Sequence, residues 1–216
     1  MSAAAKSAAA SNRPRRSQQQ RREASRRRLL DATAEVLIAQ GYAGASIQAI
    51  VERAGLSQGA LFRHFENRLA LMRAVANDIG DRLLERYIER FRALQPGADQ
   101  DWLLLSLELL RDNCRSPLQQ AWFELLMAAR TDAALHQTLA PVWARNQRET
   151  IALAARLLPE AHATLGEARF AEMVEAVVSL FHGEAVDQMV RTDAAADEAR
   201  MRWVYQTLSA QLATAQ

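Results

Sequence analysis

The chain has 216 residues, half of them apolar, and a formal net charge of +2, enough material for a sizeable core without disulfide support. Its single cysteine, Cys114, excludes an internal disulfide and a multi-cysteine zinc cluster, suits a reducing compartment and reads as a small buried hydrophobe. No apolar run approaches the ~20 residues of a membrane span, and the alanine-rich start is broken by Lys6, Arg13, Pro14 and Arg15, so a soluble cytoplasmic protein without a secretory leader or membrane partner is expected.

Charge is distributed unevenly. Lys6, Arg13, Arg15, Arg16, Arg21, Arg22, Arg26, Arg27 and Arg28 precede Asp31 against the single acid Glu23, a formal +8; four arginines and four acids cancel from Asp31 to Arg73, leaving −6 beyond. Residues 1–21 are expected to form a disordered basic arm placed to meet phosphate. A solvated tail fits the same composition.

Eight glycines, five prolines and no period-two alternation predict an all-α fold. A first helix is expected from about Arg22 to Gln40, with Leu30, Ala34, Leu37 and Ile38 inward. Ile47, Ile50, Val51 and Ala54 then recur at i, i+3, i+4 and i+7, one apolar stripe on a short helix. Ser46 can cap its start by accepting a backbone N–H bond, and Gly55 can end it in the left-handed conformation with Leu56 folding back. Ser57 opens a second short helix in the same way. There Leu61 and Phe65 face the core, while Ser57, Gln58, Gly59, Ala60, Phe62 and Arg63 take outward or terminal directions. Two capped helices joined by so tight a turn over 46–65 predict a helix-turn-helix, whose second helix fits the major groove. The spacing alone also fits an ordinary helical hairpin; the basic charge before it favours double-stranded DNA as the partner.

A long helix from about Arg68 to Ala93 carries Met72, Val75, Ile79, Leu83 and Phe91, and Gln95-Pro96-Gly97 should stop it. Further helices are expected over about Asp101 to Cys114 and from Ser116-Pro117 to Arg130, with proline in the first turn. Another runs from Asp132 to Leu158 with a kink or restart at Pro141, and the last two cover Gly166 to Arg191 and Asp197 to Ala213. Trp102, Trp122, Phe123, Met127, His136 and Trp143 fall in the middle third, where helical faces could converge on an apolar ligand pocket. Aromatic residues at such spacing also serve as plain core.

The final two helices are apolar on more than one face: Val174, Val177, Val178, Phe181, Val186 and Met189 on one, Trp203, Val204 and Leu208 on the other. That points to a partner surface carried by Val177, Phe181, Met189, Trp203 and Val204, with core burial as the alternative. The inventory for catalysis is poor. His64, His136, His162 and His182 lack metal-ligand spacing, and there is no phosphate loop or nucleophile elbow. His182-Gly183-Glu184 reads as packing or polar-face residues rather than acid–base chemistry. No enzyme activity, metal or cofactor is expected.

From Arg26 to about Asn77 the chain resembles the N-terminal domain of the tetracycline-repressor (TetR) family of bacterial regulators. Gly41-Tyr42, Ser46, the Ile47 to Ala54 stripe, Ala54-Gly55-Leu56-Ser57, Gly59, Leu61, His64-Phe65 and Leu69 carry the likeness. The resemblance implies that Ser46 and His64 touch phosphates, that Ser57 to Ala60 approach the groove, and that Arg68 replaces the usual lysine near the backbone at the next helix. Gln48 joins this DNA-contacting set. The chain departs from the family at Gln58, where lysine is frequent, at Ala60, where threonine is frequent, and at Phe62, where tyrosine is frequent. Phe62 cannot donate a hydroxyl bond to phosphate, and Ala60 offers only a methyl, which could meet a thymine methyl.

The resemblance further implies a DNA-binding domain over 22–83 and a ligand-binding and dimerisation domain over 84–216, with the last two long helices pairing with their copies. A ligand-responsive regulator follows, a dimeric repressor on a palindromic operator. An apolar small-molecule effector would release it by shifting the long helix from Arg68. A ligand-independent DNA-binding protein and a helical interaction module remain as alternatives.

Overall fold

Ser17 opens the first helix, ahead of the expected start: its hydroxyl accepts the Gln20 N–H while the Gln20 side chain returns a bond to the Ser17 N–H, a complete capping box. The computed structural model describes residues 17–94, 101–191 and 193–214. Residues 18–21 thus belong to a helix, capped by Ser17, rather than to an arm; the rest of the basic arm and the stop at Gln95-Pro96-Gly97 lie outside the described residues.

Among the described residues the chain forms ten helices and no strand. α1 (Gln18–Gly44) breaks at Gly41; α2 (Ile47–Ala54) and α3 (Gln58–Phe62) follow across short turns; α4 (Arg68–Ala93) is the longest uninterrupted helix. Then come α5 (Trp102–Cys114), α6 (Pro117–Ala129), α7 (Ala133–Leu157), α8 (Pro159–Leu165), α9 (Glu167–Asp187) and α10 (Ala194–Thr214). None of them is long and apolar enough to cross a membrane. Helix starts follow side-chain chemistry: Ser46, Ser57, Asn67, Asp101, Ser116 and Asp132 each accept a first-turn backbone N–H, and each such cap contributes about 1 kcal/mol. Pro141 lies inside α7 without ending it, and Pro159 starts α8, an element with no counterpart among the expected helices.

α1 packs on α2 and α6, and α4 packs on α1, α5, α6 and α7, so α4 belongs to both halves of the molecule. Its first half buries Leu71, Met72, Val75 and Ile79 beside Leu29, Leu30 and Leu37 of α1 and Ile50 and Leu61 of the short helices. Each fully buried leucine or isoleucine here contributes about 2 kcal/mol. Ile38, expected inward, is 39% exposed; Val36 and Leu37 already fill the core on that turn, and Ile38 falls outside their arc.

Ionic clusters tie helices together. Arg27 donates to Asp31 and Asp78, and Arg82 reaches the same two acids, joining α1 to α4 at the surface. Deeper, the buried Glu184 carboxylate of α9 accepts from Arg111 at 2.6 Å and Arg200 at 2.9 Å and pairs with Arg115, which also reaches Asp197 at 3.0 Å. Burial opposes ionisation of Asp197, but the Gln188 bond and Arg115, Arg111 and Arg200 outweigh it and hold the carboxyl below the usual range. α5, α9 and α10 are thereby locked by charges that would be costly to separate.

Candidate nucleic-acid interface and ligand cavity

The turn between α2 and α3 is built by Gly55 in the left-handed conformation (φ 61°), and Arg28 of α1 steadies it by donating to the Ala54 and Gly55 carbonyls. α3 then stands on Leu61 and Phe65, both buried, with Gln58, Gly59, Phe62 and Arg63 exposed. Phe62 keeps 50% of its surface open, a large cost for an apolar side chain that an interface would recover. Ala60 faces inward instead, 7% exposed, because it sits one residue before Leu61 on a helix of a single turn. Its methyl packs in the domain and is not presented to a groove.

Gln58 donates from Nε2 to Gln48 Oε1 at 3.0 Å, joining α3 to α2 across their exposed faces, and Gln48 in turn bonds Glu52. Ser46 is exposed; its hydroxyl accepts the Ala49 N–H at 3.1 Å and retains its proton to donate. Ser57 caps α3 in the same manner at 3.2 Å. His64 is half-buried, and burial first, then the charges of Arg22, Arg63 and Arg26, push its pKa down. Those arginines, two from α1 and one just past α3, set positive charge around His64 beside the exposed face of α3.

Arg68 does something different from what the resemblance implies. Its guanidinium donates to the Tyr42 carbonyl at 2.8 Å and the Ala45 carbonyl at 3.2 Å and lies 4.0 Å from the centre of the Tyr42 ring. It therefore ties the end of α1 to the start of α4, and its donors point into the protein.

Away from this face, α4, α5, α6, α7, α9 and α10 line a partly open cavity of about 570 Å³ with predominantly apolar walls. Trp122 and Trp143 line it, the first buried and the second at an exposed position. The other expected ligand residues are elsewhere. Phe123 packs edge-on to His182 at 5.3 Å, Trp102 leans on Phe91, and Met127 and His136 are exposed on the outside of α6 and α7. Sequence reasoning missed Tyr87, Ser106, Asn113, Gln119, Asn146 and His182, all in the wall. Ser106 and Asn113 stand seven apart, on one face of α5, which was the available signal. His182 bonds Gln119 at 3.2 Å, and burial lowers its pKa.

Of the residues expected at a partner surface, Met189 and Trp203 are exposed, 53% and 60%; Val186 and Val190 beside Met189 in the chain are exposed as well, while Trp203 lies with Met173, Ala176 and Leu180 of α9. Val177, Phe181 and Val204 are buried inside the single chain, where the packing of α9 on α5 and α7 and of α10 on α5 covers them. Their apolar area is already removed from water and leaves the outer patch to the neighbouring side chains.

Residues 29–75 match the family model described as bacterial regulatory proteins, tetR family. An uncharacterized HTH-type transcriptional regulator of Mycobacterium tuberculosis is 37% identical over 185 residues, 86% of this chain and 93% of its own. Among solved structures, a TetR-family transcriptional regulator from Rhodococcus sp. superposes with a TM-score of 0.64 at 22% identity, covering 86% of this chain and 98% of that one. The multidrug binding protein EbrR complexed with imidazole does so with a TM-score of 0.58 at 22% identity, covering 87% and 93%.

Proposed function

Because the chain belongs to the tetR family of bacterial regulatory proteins and is a DNA-binding transcriptional regulator, we propose that it is a ligand-responsive repressor that binds a palindromic operator as a homodimer and leaves it when an effector enters the cavity. The observation that carries this reading is the double membership of α4. Its first half packs the helix-turn-helix core through Leu71, Met72 and Val75, and its second half walls the cavity through Gly80, Leu83, Leu84 and Tyr87. A ligand that pushes on the second half moves a rod whose other end carries the reading head, since packed helices transmit displacement.

A two-fold dimer matches two half-sites one DNA turn apart, so a small change in the separation of the reading heads weakens both halves at once. The exposed Val186, Met189 and Val190 at the end of α9 and the exposed Trp203 of α10 supply apolar surface for a second copy. The solved multidrug binding protein supports the effector element by likeness of fold. By reciprocity, the effector binds the DNA-free form more tightly by the same factor that it weakens operator binding.

Selection of bound fragments from genomic DNA tests the reading. Recovery of an inverted repeat, with a dimer by light scattering at micromolar concentration, is the expected result. Equal binding to every fragment, or a monomer bound to a single half-site, would overturn it.

A further inference from the structure

The cavity wall includes two carboxamides whose oxygens have no partner. Asn113 donates from Nδ2 to the Leu83 carbonyl at 3.1 Å, which fixes the orientation of its amide and leaves Oδ1 as an acceptor. Asn146, from α7, lies flat against α4 at Gly80, where an added Cβ would come within 2.5 Å of both amide terminal atoms; glycine leaves the room that this side chain occupies. The Oδ1 atoms of Asn113 and Asn146 and the Ser106 hydroxyl are shut off from solvent with no hydrogen-bond partner. Buried polar atoms without partners are rare, because each has given up water with nothing in return; the two carboxamide oxygens can only accept, whereas the Ser106 hydroxyl can also donate.

Charge is distributed just as selectively. Among the described residues neither lysine nor arginine lines the cavity, and its two carboxylates, Glu172 and Glu175, belong to α9 at its solvent-facing side. Tyr87 donates to the Ser106 carbonyl at 3.1 Å, and burial pushes its pKa up to about 12, so it stays a neutral phenol with its proton engaged. His182 is held neutral at pH 7 by burial.

We infer that the effector is an uncharged, largely apolar molecule with a hydrogen-bond donor, an amide N–H or a hydroxyl, received by the carboxamide oxygens of Asn113 and Asn146, and that carboxylates and phosphates are rejected. The inference rests on the effector reading above and adds the chemistry of the ligand. An anion would enter a wall with no cation to pair it and would face the same two oxygens. An ester of the same length would fill the apolar space and leave both acceptors unpaired.

The test uses the full chain and the neutral fluorescent dye N-phenyl-1-naphthylamine, displaced by decanamide, methyl decanoate or decanoate. Decanamide should displace the dye about fivefold to tenfold better than methyl decanoate and better still than decanoate. Asn146→Leu should bring amide and ester close together while dye binding persists, and Gly80→Ala, which drives Asn146 aside, should do so by a second route. Asn146→Asp should gain affinity for decylammonium, an outcome that a misfolded variant cannot produce. Decanoate binding as well as decanamide, or an amide preference that survives Asn113→Leu combined with Asn146→Leu, would overturn the chemical assignment and leave the cavity as a ligand site. Failure of the wild-type chain to take up dye and to gain thermal stability with decanamide would overturn the assignment together with the effector reading.

Discussion

The Glu124 carboxylate of α6 accepts the backbone N–H of Tyr42, 3.1 Å away, at the break in α1. Gly41 makes that approach possible: at φ 68° and ψ 179° it turns the chain, and a Cβ there would stand 2.8 Å from the Glu124 oxygen. Tyr42 also presents its carbonyl and ring to Arg68 and its hydroxyl to Asp132 at 3.4 Å. A helix that supplies Trp122 and Gln119 to the cavity is thus bonded to the segment that leads into Ser46.

Removing the Glu124 carboxylate as Glu124→Ala should speed hydrogen exchange of the Tyr42 amide about tenfold, the equivalent of one net hydrogen bond. Gly41→Ala should cost about 1–3 kcal/mol in denaturant unfolding, since that backbone region is open essentially to glycine alone. Part of this cost should disappear in the Glu124→Ala background, a non-additivity that a double-mutant cycle measures. Unchanged Tyr42 exchange would show that the bond does not form in solution.

Arg68 should behave as a structural clasp. Arg68→Ala removes two bonds to carbonyls and the stacking on Tyr42, together about 2–4 kcal/mol of stability. The slope of operator affinity against salt should stay as it was; a slope lower by about 0.9 would instead count Arg68 among the groups that bind phosphate.

His64 should make DNA binding sensitive to acid. Burial, Arg22, Arg63 and Arg26 hold its pKa below the ordinary value in the free protein, and a phosphate placed beside it favours the protonated ring. The complex therefore binds more protons than the free chain, so affinity should rise as pH falls through the His64 pKa of the complex and level off below that of the free protein. Fluorescence anisotropy across about pH 5 to 8 should lose this dependence in His64→Gln. A pH profile shared by both proteins would rule out the phosphate role.

Deleting residues 1–16 removes Lys6, Arg13, Arg15 and Arg16 and leaves the Ser17 capping box in place. Operator affinity should fall, and its salt dependence should flatten by about 0.9 for each phosphate that the segment neutralises in the full-length complex. Identical affinity and slope in the truncated protein would show that the segment neutralises none.

The helix-turn-helix was legible because each of its boundaries is written in local chemistry: Ser46, Gly55, Ser57 and Asn67 sit where backbone groups need partners, and α4 runs over the expected Arg68–Ala93. Facing was harder to read. Ala60 and Ile38 took opposite sides from those expected, because a one-turn helix and a helix packed against several neighbours offer no clean periodicity. The cavity was legible only as a region. Trp122 and Trp143 reach it, but Asn113, Asn146 and Tyr87 meet there because of how α4, α5 and α7 cross, and a linear pattern does not carry crossing geometry. The same holds for Glu184, whose three arginine partners come from two other helices and the residue that ends one of them.

The 3.0 Å bond between Gln58 and Gln48 engages one of the two Nε2 hydrogens of Gln58 and leaves its other N–H and its Oε1 open to solvent. If α3 enters the major groove as we propose, those are the two groups that an adenine edge would meet, and they would meet it on a side chain already held in place. The rotamer freedom of Gln58 is then given up in folding rather than on the duplex.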